Sequence, residues 1–234
     1  MDYLYESISN PYTLNIFTDA SMHSGNGAGE GCYGALARCM SNEIDSICRV
    51  QTYVTTPECE LKGIRAGIEL AIKYKDQYSK INIFSDSQLS VFGLRDRIYK
   101  WKIKDNKIFK KDKKQLSCQD IYTEIVYMIV DNNVNINIYH TNGHIDIHNK
   151  HSIKASINNF VKSNYLSYDD KVEFKFMKYI SLGNNEIDRR TRSLLKSRMD
   201  ERLVNEPIYY IPDYRLIEKM KKYKNQVGGY GYEQ

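Results

Sequence analysis

The chain has 234 residues, long for one domain and short for two at ~100–200 residues per domain. Aromatic residues make up 12% and charged residues 27%, which excludes disorder of the whole chain, because disordered chains lack the aromatic and β-branched residues that build a core. The net charge of +5 is mild, so where the charge sits matters more than its total.

No apolar run approaches the ~18 residues of a membrane span. The opening Met1-Asp2-Tyr3 has no basic start followed by an apolar stretch, so no secretory signal is expected. The five cysteines (Cys32, Cys39, Cys48, Cys59 and Cys118) are an odd number without CxxC spacing. They read as reduced thiols of a cytoplasmic protein, not as a disulfide framework or a zinc site.

Residues 1–12 form a loose lead-in. Leu14-Asn15-Ile16-Phe17-Thr18 then alternates as a strand ending at Asp19. The glycine-dense turn within residues 25–34 lacks the Gly-Lys-Ser/Thr ending of a phosphate loop and runs into a second strand at 33–38. A third strand at 47–55 completes an antiparallel meander. Pro57 opens a helix whose apolar positions Leu61, Ile64, Ile68, Ala71 and Ile72 follow a helical period. Ile81-Asn82-Ile83-Phe84 is a fourth strand, closed by Ser85-Asp86-Ser87, and a helix over 88–99 leads to Trp101. Residues 100–114 carry eight lysines. A helix over 118–131 and a fifth strand over 135–140 follow. Beyond Gly143-His144, residues 151–164 read as a helix, and Val172, Phe174 and Phe176 alternate as a strand. Gly183-Asn184-Asn185 signals a helix start for 186–203. Pro207 and Pro212 precede a basic helix near 213–224, and the last ten residues form a flexible tail.

Three acids stand out in this order of elements. Asp19 and Asp86 each close an apolar strand, within Thr-Asp-Ala-Ser and Ser-Asp-Ser, and Glu60 sits on the first turn of the first helix. Carboxylates gathered in one cleft repel one another unless a cation neutralises them, and hard oxygen ligands select Mg²⁺ or Mn²⁺. Taken singly, each acid is equally well a helix cap or a solvated side chain.

With those residues in place, the sequence resembles the type 1 ribonuclease H family. The matching segments are Ile16-Phe17-Thr18-Asp19-Ala20-Ser21, Gly31-Cys32-Tyr33-Gly34-Ala35, Cys59-Glu60-Leu61, Ser85-Asp86-Ser87-Gln88, Thr141-Asn142-Gly143-His144 and Gly183-Asn184-Asn185-Glu186-Ile187-Asp188. The resemblance implies an α/β ribonuclease H-like fold, a five-stranded mixed sheet flanked by helices. It also implies a four-acid site of Asp19, Glu60, Asp86 and Asp188 holding two Mg²⁺ ions, with Mn²⁺ able to substitute, and His144 as the flexible-loop histidine. The implied reaction is hydrolysis of the RNA strand of an RNA–DNA hybrid, such as a replication primer, leaving 5′-phosphate and 3′-hydroxyl ends. Ser21, Thr56, Gln88, Trp101, Lys104, Lys107, Lys110 and Lys111 are the expected substrate contacts. The interleaving of Trp101, Ile103, Ile108 and Phe109 with the lysines matches a basic substrate-handling protrusion of some family members.

The chain departs from the family pattern twice. His144 and Asp188 are 44 residues apart, which reads as an insertion at about 147–181. A competing register takes 172–178 as the last sheet strand and leaves the site without a histidine. Just before Glu60, Thr56-Pro57-Glu58 replaces the family's asparagine contact to RNA 2′-hydroxyls, the group that distinguishes RNA from DNA. The rival readings are therefore a nuclease of the same fold acting on DNA or structured nucleic acid, and a non-catalytic hybrid-binding module. Retention of all four acids argues against the latter. A zinc site at His140, His144, His148 and His151 is disfavoured, since no cysteine is near. The expected organisation is a ribonuclease H-like domain over 13–203 with a basic C-terminal helix and Gly/Tyr tail over 204–234, acting as a cytoplasmic monomer without membrane contact.

Overall fold

Strand β1 (Thr13–His23) is buried from Thr13 to Asp19, and the sheet is built outward from it. The computed structural model describes residues 4–23, 28–104, 107–110, 112–166 and 173–197, together with parts of 218–228. Strands β2 (Gly29–Cys39) and β3 (Asn42–Val54) extend the sheet antiparallel on one side of β1. On the other side β4 (Lys80–Ser85) and β7 (Ile136–His140) run parallel to it. The order β3-β2-β1-β4-β7 is the mixed five-stranded sheet expected, and a two-residue parallel strand, β8 (Val227–Gly228), is added at the β7 edge. Of the tail expected to be flexible, the described Val227 and Gly228 are instead paired with β7, and Val227 is buried; Tyr223, just before the tail, is fully buried.

Alternation along the parallel strands divides the core. Leu14, Ile16, Ile81, Ile83, Ile136 and Ile138 face α1 (Thr56–Tyr74) and α3 (Gln119–Asp131), whose Ile64, Ile68, Ile125 and Ile129 pack with them. Phe17, Phe84 and Tyr139 face the opposite layer of α4 (Lys150–Ser163) and α5 (Phe174–Ser197). Their rings form a ladder, with centroids 5.5 Å apart for Phe17–Phe84 and 5.4 Å for Phe84–Tyr139. Two residues earlier runs a polar ladder. Asn137 Nδ2 donates to Asn82 Oδ1 at 3.2 Å, Asn82 Nδ2 to Asn15 Oδ1 at 3.0 Å, and Asn15 Nδ2 to the Ser7 carbonyl at 3.0 Å. The lead-in is therefore not wholly loose: Leu4 to Ile8 form a 3-10 turn with Leu4 and Ser7 buried.

The helix over 88–99 is shorter and less regular than its periodicity suggests. Helix α2 (Gln88–Phe92) passes into a π-helical turn at Gly93–Arg97 and a 3-10 turn at Ile98–Lys100. The lysine-rich segment folds as a hairpin of β5 (Lys102–Lys104) and β6 (Lys107–Phe109). Ile108 is buried and Ile103 half-buried, whereas Lys102, Lys104 and Lys107 are exposed, so alternation turns one face to the body and the lysines to solvent.

The largest correction concerns the C-terminal third. Phe174 and Phe176 belong to the first turn of α5, not to a strand, which removes the competing register; Val172 lies outside the described residues. Gly183 is not a helix start but the middle of that helix. A Cβ there would fall 2.5 Å from the Phe17 ring, so the glycine lets α5 approach β1 closely. Of the helix expected near 213–224, only Glu218–Met220 and Lys222–Tyr223 are described, and they are helical.

The asparagine ladder gives a direct test of what holds the strand register. Replacing Asn82 by Leu keeps the branching of the side chain but leaves the buried Asn15 Oδ1 without a donor, at a cost of about 2 kcal/mol. Thermal unfolding should then fall by roughly 4–8 °C for a chain of this size. An unchanged midpoint would mean the ladder contributes nothing to the sheet.

Candidate active site

The register of the parallel strands builds the site. Thr18 is opposite Ser85 and Ser85 opposite His140, so the parallel pairing of β1, β4 and β7 ends level, and the next residues, Asp19 and Asp86, emerge side by side; β1 itself runs on to His23, past the end at Asp19 expected from the sequence. Helix α1 supplies the third acid. The Glu58 carboxylate accepts from the Thr55 N–H at 2.8 Å and the Thr55 hydroxyl at 2.7 Å, closing the first turn. Gly63 and Gly67 then let the helix lie against β1: Cβ atoms there would meet the Asp19 carbonyl at 3.1 Å and Thr18 Cγ2 at 2.8 Å. Glu60, one turn before Gly63, is thereby set beside Asp19. Carboxylate oxygens of Asp19, Glu60 and Asp86 lie within 4.8 Å of one another.

Asp188 comes from α5 on the opposite face and stands beside this triplet. Its charge adds to the repulsion felt by Asp19 and Glu60. It also accepts from Arg192 Nε at 2.7 Å and faces His144 Nδ1 at 3.7 Å. His144, exposed and in the left-handed region at φ 51°, touches Arg192 through Nε2 at 3.2 Å. All four sequence-predicted acids and the histidine therefore lie in one place.

The electrostatics are those of a cation site. Asp19 is 5% exposed, and burial pushes its carboxyl up to about 9, helped by the charges of Asp86, Glu60 and Asp188. Burial also pushes Glu60 up to about 8, with Asp86 and Asp188 adding to the shift. Asp86 is raised by burial, against which the Asn184 amide acts, donating to Oδ2 at 3.4 Å. Glu60 Oε2 is buried without a hydrogen-bond partner among the described residues. An oxygen-only donor set with an orphaned carboxylate oxygen fits a hard divalent cation.

The expected substrate contacts are scattered. Ser21, two residues after Asp19 on β1, shares a hydrogen bond with Thr191 at 3.0 Å. Thr56 is exposed at the start of α1 and Gln88 at the start of α2. Trp101 packs edge-on against Tyr122 at 4.8 Å and shares a small pocket with Pro57, Leu89 and Lys110. Lys104 and Lys107 are exposed on the hairpin, and Lys111 lies outside the described residues. Sequence reading missed Asn184 as a partner of Asp86, although it stands four residues before Asp188 and so on the same helical face. It also missed His140, which lies opposite Ser85 on β7 and whose pKa is lowered by burial.

The sequence model of the RNase H family matches residues 11–157, well over half of the chain. The protein belongs to the RNase H family. That match stops before Asp188, which reaches the acid cluster through the fold alone. No curated protein sequence is a significant match to the chain. Among solved structures the chain is similar to RNase H1 of Halobacterium salinarum, at 15% identity and TM-score 0.41, over 56% of this chain and 86% of that one. The N-terminal RNase H domain of a Mycobacterium tuberculosis protein is similar at 17% identity and TM-score 0.44, over 65% and 98%. LC11-RNase H1, solved with an RNA/DNA hybrid, is similar at 14% identity and TM-score 0.43, over 62% and 97%. No helix among the described residues is long and apolar enough to cross a membrane.

The raised carboxyls tie stability to pH. When a folded-state carboxyl pKa exceeds its unfolded value, the folded chain binds protons that the unfolded chain releases, so stability declines as pH rises between the two. For Asp19 and Glu60 that window runs from the usual carboxylate range up to about 9 and about 8. In EDTA the melting temperature should therefore fall from pH 5 to pH 9. Asp19→Asn should flatten this slope and raise the melting temperature at pH 8 by roughly 3 °C or more, the equivalent of about 1 kcal/mol. A variant melting at or below wild type in EDTA would contradict a strained, cation-demanding cluster.

Proposed function

We propose that this RNase H family protein is a Mg²⁺-dependent endoribonuclease that hydrolyses the RNA strand of RNA–DNA hybrids, leaving 5′-phosphate and 3′-hydroxyl ends. The observation that supports this reading is the convergence of Asp19, Glu60 and Asp86 within 4.8 Å, with Asp188 beside them. A binding module has no use for such a cluster, which costs stability. Asp19, Glu60, Asp86 and Asp188 would hold two Mg²⁺ ions, for which Mn²⁺ can stand in. Bound there, the ions supply an activated water and stabilise the leaving 3′-oxygen.

The chain's own groups orient this chemistry. Asp19 lies central, repelled by each of the other three acids. The Asn184 amide holds Asp86, and Arg192 holds Asp188. His144, on an exposed turn at the rim, is placed to pass a proton to the leaving oxygen or to assist product departure. The hairpin lysines Lys104 and Lys107, with Lys110, would hold backbone phosphates away from the scissile bond. The same reading has the protein act as a cytoplasmic monomer on hybrids such as replication primers; its five cysteines are free, as reduced thiols would be.

One observation favours a second substrate class. Thr56 and Pro57 are exposed where the family reads RNA 2′-hydroxyls, and proline has no N–H to donate. Discrimination of RNA from DNA is then weaker here, and a same-fold nuclease acting on DNA or structured nucleic acid becomes the alternative. Cleavage of matched hybrid, double-stranded RNA and DNA duplexes with Mg²⁺ separates the two readings. Hybrid cut well ahead of the others supports the first.

Two variant sets test the site. Asp86→Asn should abolish cleavage with hybrid affinity nearly intact, and Asp188→Asn should lower turnover severely with partial recovery in higher Mn²⁺. Near wild-type turnover in either would remove that acid from the site. Changing Lys104, Lys107 and Lys110 together to Gln should raise KM, leave kcat little altered and lower the salt slope of binding by up to about three phosphates' worth, near 0.9 each. An unchanged slope would leave the hairpin as a solvated surface.

A further inference from the structure

We propose that helix α4 is a positioning element for Asp86, acting through Arg95, Asn164 and the backbone of His140. The inference rests on the reading of Asp86 as a metal-binding acid. It concerns residues that no part of that reading uses.

The chain of contacts starts at a buried cation. Arg95, in the π-helical turn after α2, is only 1% exposed. Its guanidinium donates to both Asp96 carboxylate oxygens at 2.9 and 3.1 Å, to Asn164 Oδ1 at 2.8 Å and to the Ser163 carbonyl at 2.8 Å. It also lies 5.2 Å from the ring centroids of Phe92 and Tyr165. A charge so fully desolvated is retained only where its hydrogen bonds are complete, and it stabilises less than apolar packing of the same volume would. Its use is to fix geometry.

What it fixes is Asn164, at the C-terminal end of α4. This side chain is fully buried and treats His140 as a neighbouring strand would. Asn164 Oδ1 accepts from the His140 N–H at 2.8 Å, and Nδ2 donates to the His140 carbonyl at 2.8 Å. Both backbone groups of the last β7 residue are thereby held by α4. The His140 backbone leads on to the site. It is paired with Ser85 across the parallel ladder, the Thr141 N–H donates to the Ser85 carbonyl at 2.9 Å, and Asp86 is the next residue; the His140 ring packs against Phe92 at 5.7 Å. A second contact joins the same elements: Phe160 of α4 packs on Phe84, two residues before Asp86, at 6.4 Å. Helix α4 is thus a brace that sets the backbone from which Asp86 projects.

Because a buried polar brace could be merely structural, the test compares two substitutions at its central link. Asn164→Leu removes both hydrogen bonds to the His140 backbone; Asn164→Asp keeps the acceptor for the His140 N–H and for Arg95 and loses only the donor. Three readouts are taken: calorimetric Mn²⁺ binding to the protein alone, kcat and KM on hybrid, and hydrogen exchange of residues 85–88 without metal. Asn164→Leu should weaken Mn²⁺ binding and lower kcat by about tenfold, as loss of an outer-shell partner does, with KM within about twofold of wild type. Its exchange at 85–88 should quicken, and Asn164→Asp should show the same three changes in milder form. If folded Asn164→Leu, or Asn164→Asp where the leucine variant does not fold, binds Mn²⁺, turns over and exchanges as wild type does, the brace does not position Asp86. If wild type cleaves no hybrid, the proposed function falls, while Mn²⁺ binding and exchange still decide the brace. If it also fails to bind Mn²⁺, exchange alone decides it.

Discussion

Everything about this site depends on the register of β1 against β4. A parallel pair slipped by one residue would turn every side chain to the other face and send Asp19 and Asp86 to opposite sides of the sheet. Two ladders hold the register. The amides of Asn15 and Asn82, both fully buried, and of half-buried Asn137 pair only when the three strands are level, and two residues further on the Phe17, Phe84 and Tyr139 rings stack under the same condition. The polar ladder supplies uniqueness, because a slip would leave buried amides unsatisfied, and the aromatic one supplies buried area. Two residues beyond the Phe17 and Phe84 rings, the parallel pairing is over and the acids begin.

The cluster that results opposes folding. Asp19 and Glu60 are pushed far above the usual carboxylate range, first by loss of water and then by the neighbouring acids, Asp86 foremost. The surrounding structure overrides that repulsion from several directions. Gly63 and Gly67 draw α1 onto β1, Gly183 draws α5 onto Phe17, and Asn184 steadies Asp86. Such preorganised repulsion is what a divalent cation relieves, and it is how a rigid α/β scaffold stores binding energy for a metal. Arg192 compensates Asp188, the acid farthest from the triplet's centre, and leaves the inner acids to the cation.

Much of this was legible in the residues themselves. The five strands alternate with period two, α1 and α3 carry helical stripes, and strand-closing acids within Thr-Asp-Ala-Ser and Ser-Asp-Ser mark the site. The asparagines within the strands were misleading. In Leu14-Asn15-Ile16 and Ile81-Asn82-Ile83 they mimic the solvent-facing positions of a half-exposed strand, yet both are fully buried, because here the second face is covered by α4 and α5. Phe174 and Phe176 misled in the same way: two residues apart suits a strand, and only their place at the start of a long amphipathic helix reassigns them.

The sequence by itself determined the fold class, the three acids on regular elements and the basic character of the hairpin, because each rests on a periodicity or a strand end that is local. Asp188 came only as an implication of the family resemblance, since its reaching the cluster from 44 residues beyond His144 depends on how α5 crosses β1, and the crossing depends on the Gly183–Phe17 contact. Nor could the sequence show the partnership of Arg95, Asn164 and His140. Those residues carry no shared period and no motif spacing, and they meet only because α4 ends where β7 ends. Short-range pattern reports which face a residue occupies. Which residues then touch across layers is decided by packing, where the cost of leaving a buried polar group unpaired selects one arrangement.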